Sequence, residues 1–229
     1  MELLNRIKQP FSTLSFEEKE HKYFVEEEPI KISVSGLISN YYEKFNAHEV
    51  SARVSQRTGV PQTMILQDWV DINKEAIERG HRVHSFGELY QFDRNLIPSC
   101  PQEEAIVKFW KELPEHIIPV AAELRMYHFK ELYAGTADIV LFDTKTQTYI
   151  IADYKTNKDL YKNFKGKTMT GVFSHLLDCP LNHYVIQLSY YQILLEQVGV
   201  QVGRRVIIWL GLDGNYTLID TDNVTNLLL

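Results

Sequence analysis

The stretch AGTADIVLFDTKTQTYIIADYKT, residues 134–156, decides the fold. It holds two runs of β-branched and aromatic residues joined by the polar segment DTKTQT (143–148), which predicts an antiparallel pair of strands. If the turn is centred between Lys145 and Thr146, residues whose numbers sum to 291 lie opposite each other. Both faces of the runs are apolar, so we expect the pair to lie inside a sheet that helices cover on each side.

Two carboxylates and one amine converge in this pair. Asp138 is expected opposite Asp153, and Lys155 lies two residues further on the same face, because side chains alternate along a strand. Burying a lone carboxylate is costly, so these aspartates should be paired or hold a cation. Oxygen ligands suit Mg²⁺ or Mn²⁺, and Lys155 could then orient an attacking water or neutralise a developing anion. The alternative is a surface Asp153–Lys155 ion pair and an Asp138 that ends a turn.

The remaining patterns predict an α/β fold in a single domain, with a central mixed sheet flanked by helices. An N-terminal hairpin with a Glu-Pro turn is expected in HKYFVEEEPIKISV (21–34), followed by helices up to about residue 113. Strands begin at Ile117. A helix that Asn182 could cap runs to about residue 197, and two strands follow. The N-terminal hairpin and helical region thus covers 1–115, and the core covers 116–229.

Composition excludes several classes of protein. The chain has 229 residues, a formal net charge of −6 and two cysteines, too few for a disulfide framework or an iron–sulfur cluster. It has no apolar run that could span a bilayer, and residues 1–13 fit neither a signal nor a transit peptide. We therefore expect a cytoplasmic protein without a membrane partner. The acidic charge argues mildly against nucleic acid, although local charge can overrule it.

Three motifs, in family order, resemble those of the PD-(D/E)xK nuclease superfamily, and specifically its RecB-like exonuclease branch. Residues 135–138 (GTAD) look like the G-x-x-D strand, residues 153–156 (DYKT) like the D-x-K strand, and Gln187 with Tyr191 like the Q-x-x-x-Y helix. Ala137 stands where the family name would ask for proline, which removes no ligand. The resemblance implies a restriction-endonuclease-like core.

The resemblance also implies roles for these residues. Asp138 and Asp153 would be metal ligands, Lys155 would be the catalytic lysine, and Gln187 and Tyr191 would lie beside the site or the DNA. Without the resemblance, a glutamine and a tyrosine that satisfy each other inside the core would be the preferred interpretation of that helix.

Residues 79–84 (RGHRVH) look like the helix in which the same branch places a metal-binding histidine, which maps to His84. Helical spacing puts His84 on one face with Ile77, His81 and Glu88, so an imidazole could be aimed at the strands. His81 is a candidate for contact with a ligand or DNA, and Glu88 could orient an imidazole. The alternative is a histidine satisfied by a neighbour in a packed interface.

Glu123, on the first core strand, matches a position where many members of the branch keep a glutamate near the metals. The resemblance makes it a second candidate metal ligand beside the aspartates. The alternative is a partner for Arg125.

Two further regions are predicted to contact DNA. HKYFVEEEPIKISVSGLI (21–38) also looks like the N-terminal hairpin of phage exonucleases and of the mitochondrial genome maintenance exonuclease, which makes Ser33 and Ser35 candidate phosphate contacts or, equally, helix caps. After the D-x-K strand, lysines interleave with aromatic residues, a mixture that suits a nucleic-acid strand held by its phosphates and by stacking. A solvated loop is the usual alternative for a lysine run, and the placement directly after that strand favours DNA contact. The candidate contacts there are Lys158, Lys162 and Lys165.

Together these features predict a Mg²⁺-dependent deoxyribonuclease, with Mn²⁺ as a substitute metal. We expect an exonuclease that acts on DNA ends, single-stranded or resected duplex, in recombination, repair or phage DNA processing. Its partners would be DNA and a recombination or single-strand-annealing protein. One alternative is a structure- or site-specific endonuclease. Another is an inactive DNA-binding module on a nuclease fold, which the complete set of candidate ligands argues against.

Overall fold

A mixed sheet with helices on both faces forms the centre of the computed structural model, which describes residues 2–18, 20 and 22–228. The helices are α1 (Glu2–Lys8), α2 (Val34–Ile38), α3 (Ala47–Thr58), α4 (Gln62–Phe92), α5 (Pro101–Glu112) and α6 (Pro180–Glu196). The strands are β1 (Leu14–Glu17), β2 (Lys22–Val25), β3 (Glu28–Pro29), β4 (Ile32–Ser33), β5 (Ile117–Tyr127), β6 (Tyr133–Asp143), β7 (Thr148–Lys155), β8 (Val202–Leu210) and β9 (Tyr216–Asp220). Short 3-10 helices cover Gln9–Phe11, Ser39–Tyr41, Gly171–Phe173 and Thr225–Leu227.

The central sheet has the order β4-β6-β7-β8-β9, and β5 pairs with β6. The β5–β6, β6–β7 and β8–β9 pairs are antiparallel, whereas β7–β8 and β4–β6 are parallel. The predicted register of β6 and β7 is confirmed, since Ile139 pairs with Ala152 and Asp143 with Thr148. The predicted α/β class is therefore confirmed.

Helices cover both faces of the sheet, as the apolar strands predict. Val140 and Ile151 pack in one core with α1, α2 and α6, while Ile139 and Ala152 pack in the other with α4 and α5. Of the helices that the structure describes, none is both long and apolar enough to cross a membrane.

The prediction of a Glu-Pro turn in the N-terminal hairpin is wrong. Glu26 and Glu27 form the turn with φ angles of 50° and 73°, and Val25 pairs with Glu28. This left-handed pair of residues normally favours Asn-Gly, so two glutamates give no sequence signal for it. The hairpin also gains β1, which was not predicted, and His21 at its predicted start lies outside the described residues.

Asn182 does not cap α6, contrary to the prediction. The helix begins at Pro180 with Cys179 at the N-cap position, and the Asn182 amide donates a hydrogen bond to the Leu177 carbonyl. Proline fits the first helical position because its missing N–H would have no partner there. At the start of α2, by contrast, Ser33 rather than Ser35 is the cap, since its hydroxyl accepts a hydrogen bond from the Gly36 N–H.

Helix α4 approaches β7 closely at Gly87. A Cβ atom at this position would lie 2.5 Å from Cε2 of Tyr154, whose hydroxyl accepts a hydrogen bond from Trp110 on α5. The absence of a side chain at Gly87 therefore sets how closely α4 lies on the sheet.

We expect Gly87→Ala to lower the free energy of unfolding by about 1–2 kcal/mol, because overpacking against Tyr154 outweighs the better helix propensity of alanine. Gly80 is the matched control: it lies in the same helix, and a Cβ there meets nothing within 4 Å. Gly80→Ala should raise the free energy of unfolding by about 0.5–1 kcal/mol. Urea unfolding measures both, and a Gly87→Ala protein as stable as Gly80→Ala would contradict the packing argument.

Candidate metal centre

Three carboxylates lie in one row across β5, β6 and β7. The pairs Ala122–Ile139 and Leu124–Ala137 flank Glu123 and place it opposite Asp138. The β6–β7 register likewise puts Asp153 opposite Asp138, one step beyond the last paired residues. Residues opposite one another on neighbouring strands are close together, so this end of the sheet concentrates negative charge.

His84, Glu123 and Asp138 form a group of side chains that could hold a metal ion. Each offers one ligand atom, and these three atoms lie within 4.8 Å of one another. The His84 Nδ1 atom is 3.1 Å from Asp138 Oδ2, which also accepts a hydrogen bond of 2.9 Å from the Tyr154 N–H. An imidazole with two carboxylates is a donor set that suits Mn²⁺ and, through the oxygens, Mg²⁺.

Local backbone geometry positions two of these side chains, those of His84 and Glu123, at the cluster. His84 lies one turn before Gly87 on α4, so the close approach of that helix to β7 brings its imidazole to the strands. Glu123 has a φ of 46°, a left-handed conformation that is uncommon for a non-glycine residue inside a strand. Such strained positions cluster at functional sites, and here the distortion belongs to a candidate ligand.

Asp153 lies beside this group but pairs with Lys155. The ammonium of Lys155 forms an ion pair with the Asp153 carboxylate, and both side chains are buried. The Lys155 Nζ atom also lies 4.1 Å from the ring centroid of Tyr184 on α6, whose hydroxyl donates to Asn157 Oδ1. The structure thus brings three of the four expected ligands together and gives the fourth, Asp153, a cation from its own strand.

The pKa values in the site reflect this crowding of charge. Burial and the nearby Asp138 raise the pKa of Glu123 to about 8 and that of Asp153 to about 6. For His84, burial alone lowers the pKa, but the Asp138 carboxylate outweighs it and raises the pKa to about 9. A cation held between these groups would replace the protons that they retain in its absence.

Lys155 and Asp138 keep their charges despite burial. Burial lowers the pKa of Lys155, but the adjoining Asp153 carboxylate outweighs it and holds that pKa above its usual value. Burial raises the pKa of Asp138, but His84 more than compensates and holds it below its usual value. At neutral pH, the site therefore contains an ionised Asp138 and a protonated Lys155.

Gln187 and Tyr191 line the α6 side of the site. The Gln187 amide donates a hydrogen bond of 2.9 Å to the Tyr191 hydroxyl, and the Gln187 Oε1 atom is buried without a partner among the described residues. The buried Tyr191 ring packs on Gly135, where a Cβ would lie 2.6 Å from it. Burial raises the pKa of Tyr191, and the negative charges of the nearby Asp153 and Asp138 raise it further.

The other candidate residues lie around the cluster. His81 and Glu88 are exposed on α4, and Glu88 is close enough to help raise the pKa of Glu123. Among the described residues, Glu88 forms no hydrogen bond with His84, so the expected orienting contact is not found. Ser33 is half-buried as a helix cap and Ser35 is exposed.

The lysines predicted to bind DNA, Lys158, Lys162 and Lys165, are all exposed.

Tyr184 and Tyr23 are neighbours of the site that the sequence reasoning missed. Tyr184 lies three residues before Gln187, and this helical spacing could have placed it on the same face. The Tyr23 hydroxyl is 2.8 Å from the Thr136 hydroxyl, which connects the N-terminal hairpin to β6 beside Asp138. No local pattern signals that contact, because it joins residues 113 positions apart.

Comparison with known proteins gives no name for this site. No protein-family model matches the chain, and no curated protein matches it at a significant level. The chemistry therefore has to be inferred from the side chains themselves.

The thermal stability of the metal-free protein should fall as pH rises from about 5 to about 9. The folded-state pKa values of Glu123 and His84 are both raised, so the folded protein binds more protons than the unfolded chain across that range and loses stability as they leave. Glu123→Gln should flatten this fall, since an amide has no charge to bury.

Glu75→Gln, an exposed change on α4, is the matched control and should keep the wild-type slope. Melting temperatures measured across the pH range in chelator test this expectation. Equal slopes for Glu123→Gln and the wild-type protein would contradict it.

Proposed function

We propose that this chain is a divalent-metal-dependent deoxyribonuclease of the PD-(D/E)xK superfamily, in its RecB-like branch. The observation that carries the proposal is the convergence of His84, Glu123 and Asp138 beside the buried Asp153–Lys155 pair. A metal site next to a charged lysine has the parts required for phosphodiester hydrolysis. The motif order in the sequence supports the same reaction.

His84, Glu123 and Asp138 would hold Mg²⁺ or Mn²⁺, which would supply an activated water and polarise the phosphate. To act as ligands, His84 must be neutral and Glu123 ionised. Both residues would therefore give up, on metal binding, the protons that they hold in the metal-free protein. The Tyr154 N–H fixes the orientation of the Asp138 carboxylate through its hydrogen bond.

Lys155 would act as a charged hydrogen-bond donor. Its pKa is raised by Asp153, so it stays protonated at neutral pH and cannot accept a proton from water. An ammonium placed there can stabilise the negative charge that builds on the phosphate oxygens during attack. Tyr184 and Asp153 hold the ammonium from two sides, which fixes its position without removing its charge.

Hydrolysis at DNA ends is the form of this activity that we propose, with a role in recombination, repair or phage DNA processing in the cytoplasm. The Q-x-x-x-Y helix beside the site favours the exonuclease branch over restriction-type enzymes. Glu123, Asp138, Asp153 and Lys155 are all present and adjacent, which argues against an inactive DNA-binding module. A recombination or single-strand-annealing protein remains the proposed partner.

We expect the purified protein to degrade linear DNA in Mg²⁺ or Mn²⁺, to leave covalently closed circles intact, and to be inactive in chelator. Gel analysis of linear and circular forms, each single- and double-stranded, tests this directly. Rapid cutting of closed circles would favour the endonuclease instead. If none of these DNA forms is degraded with either metal ion, the nuclease proposal is refuted.

Lys155→Ala should lower the cleavage rate by about 10²-fold or more while keeping the fold and metal binding, because it removes charge stabilisation at the reacting phosphate. Asp138→Ala should abolish cleavage and also weaken metal binding. Lys145→Ala, in the exposed β6–β7 turn, is the matched control and should retain full activity. Single-turnover cleavage measures the rates, and a fully active Lys155→Ala protein would disprove its role.

A further inference from the structure

The segment that connects β7 to α6 exposes two aromatic rings. Tyr161 and Phe164 keep 56% and 62% of their surface accessible, although both are large enough to bury. Covering exposed rings of this size with another flat apolar surface lowers the free energy of the system. Their placement on one short segment suggests a shared binding role.

The backbone that carries these rings is held in place. Leu160 is completely buried in the core, and its carbonyl accepts a hydrogen bond from the Leu181 N–H. The Asn163 amide donates to the carbonyls of Lys167 and Asp178, at 2.8 and 2.9 Å. The segment is therefore anchored beside both rings and presents them outward in a defined geometry.

A tight turn completes this arrangement. The Lys167 N–H donates to the Phe164 carbonyl, and Lys165 and Gly166 between them have φ angles of 58° and 68°. The Lys167 ammonium pairs with Glu43 at 2.7 Å, which ties the far end of the turn to the chain between α2 and α3.

Three lysines accompany the rings without a carboxylate partner. Lys158, Lys162 and Lys165 are exposed, and among the described residues none of them forms an ion pair. The nearest acid in sequence, Asp159, accepts a hydrogen bond from the Tyr161 N–H. The three lysines thus accompany the rings along the chain, and the Lys165 ammonium lies 5.4 Å from the ring centroid of Phe164.

The segment lies beside the candidate metal centre. The Tyr161 ring makes an edge contact with Trp209, at 6.4 Å between centroids. Trp209 pairs with Lys155 in the β7–β8 register, and its indole N–H donates to the Asn157 carbonyl. A chain bound on these rings would therefore reach the Lys155 end of β7.

We propose that Tyr161, Phe164, Lys158, Lys162 and Lys165 form a single-strand surface, where the rings stack on unpaired bases and the ammonium groups hold phosphates. The faces of bases in a duplex are covered by their neighbours, so only an unstacked strand can offer them to protein rings. This inference rests on the proposed nuclease function and specifies its substrate: DNA that is single-stranded where it leaves the metal centre.

Fluorescence anisotropy with an oligothymidine of about 16 nucleotides, and with a duplex of equal length, tests the surface in chelator. We expect Tyr161→Ala and Phe164→Ala each to weaken oligothymidine binding about tenfold and to leave duplex binding unchanged. Tyr161→Phe, which keeps the ring, should bind as tightly as the wild-type protein. The matched control is Phe92→Ala, which removes a ring that is 76% exposed at the end of α4 and should have no effect.

Replacing the three lysines with alanine should lower the salt dependence of oligothymidine binding, with a log–log slope smaller by about 2. Ring variants that bind oligothymidine like the wild-type protein, or that are matched by Phe92→Ala, would overturn the proposed surface. If the ring variants bind normally and the wild-type protein degrades linear DNA, only the proposed single-strand surface is wrong. Ring-dependent binding by a protein that cleaves nothing would keep the surface and refute the nuclease.

Discussion

Repulsion among buried and partly buried carboxylates is the constraint on which the site depends. Glu123, Asp138 and Asp153 lie in one row across three strands, where burial and mutual charge raise the pKa values of two of them. In the absence of a cation, His84 and Lys155 each neutralise one aspartate, and Glu123 keeps a proton. This arrangement is costly for a sheet but suits a centre that exchanges protons for a divalent ion.

Two helices from opposite faces of the sheet meet at this row. Helix α4 brings His84 because Gly87 lets it lie on Tyr154, and α6 brings Tyr184, Gln187 and Tyr191 because Gly135 leaves room for a ring. Both contacts would be blocked by a single Cβ atom. Packing on each face thus determines the positions of the His84 imidazole and of the side chains around the Lys155 ammonium. A change in this packing would therefore change the site.

The sequence predicts much of this arrangement because its strongest signals are local. Turn position and strand periodicity place Asp138 opposite Asp153 and both faces of β6 under helices, as found. Strand periodicity also puts Lys155 on the face of Asp153, but it does not predict that the two form a buried ion pair in which Lys155, and not a metal ion, neutralises Asp153. The Glu26–Glu27 turn contains no glycine, so the sequence has no signal for it. The contact of Tyr184 with Lys155 joins a helix to a strand, and local patterns do not predict such contacts.

Calorimetric titration of metal-free protein with Mn²⁺ tests most directly whether His84, Glu123 and Asp138 form a metal centre. We predict one saturable site in which binding releases protons and becomes tighter as pH rises toward about 9, because His84 and Glu123 must lose their protons. Asp138→Asn should weaken this binding, because the amide removes the negative charge of a ligand. Titration without saturable binding, or binding that Asp138→Asn leaves intact, would contradict the account.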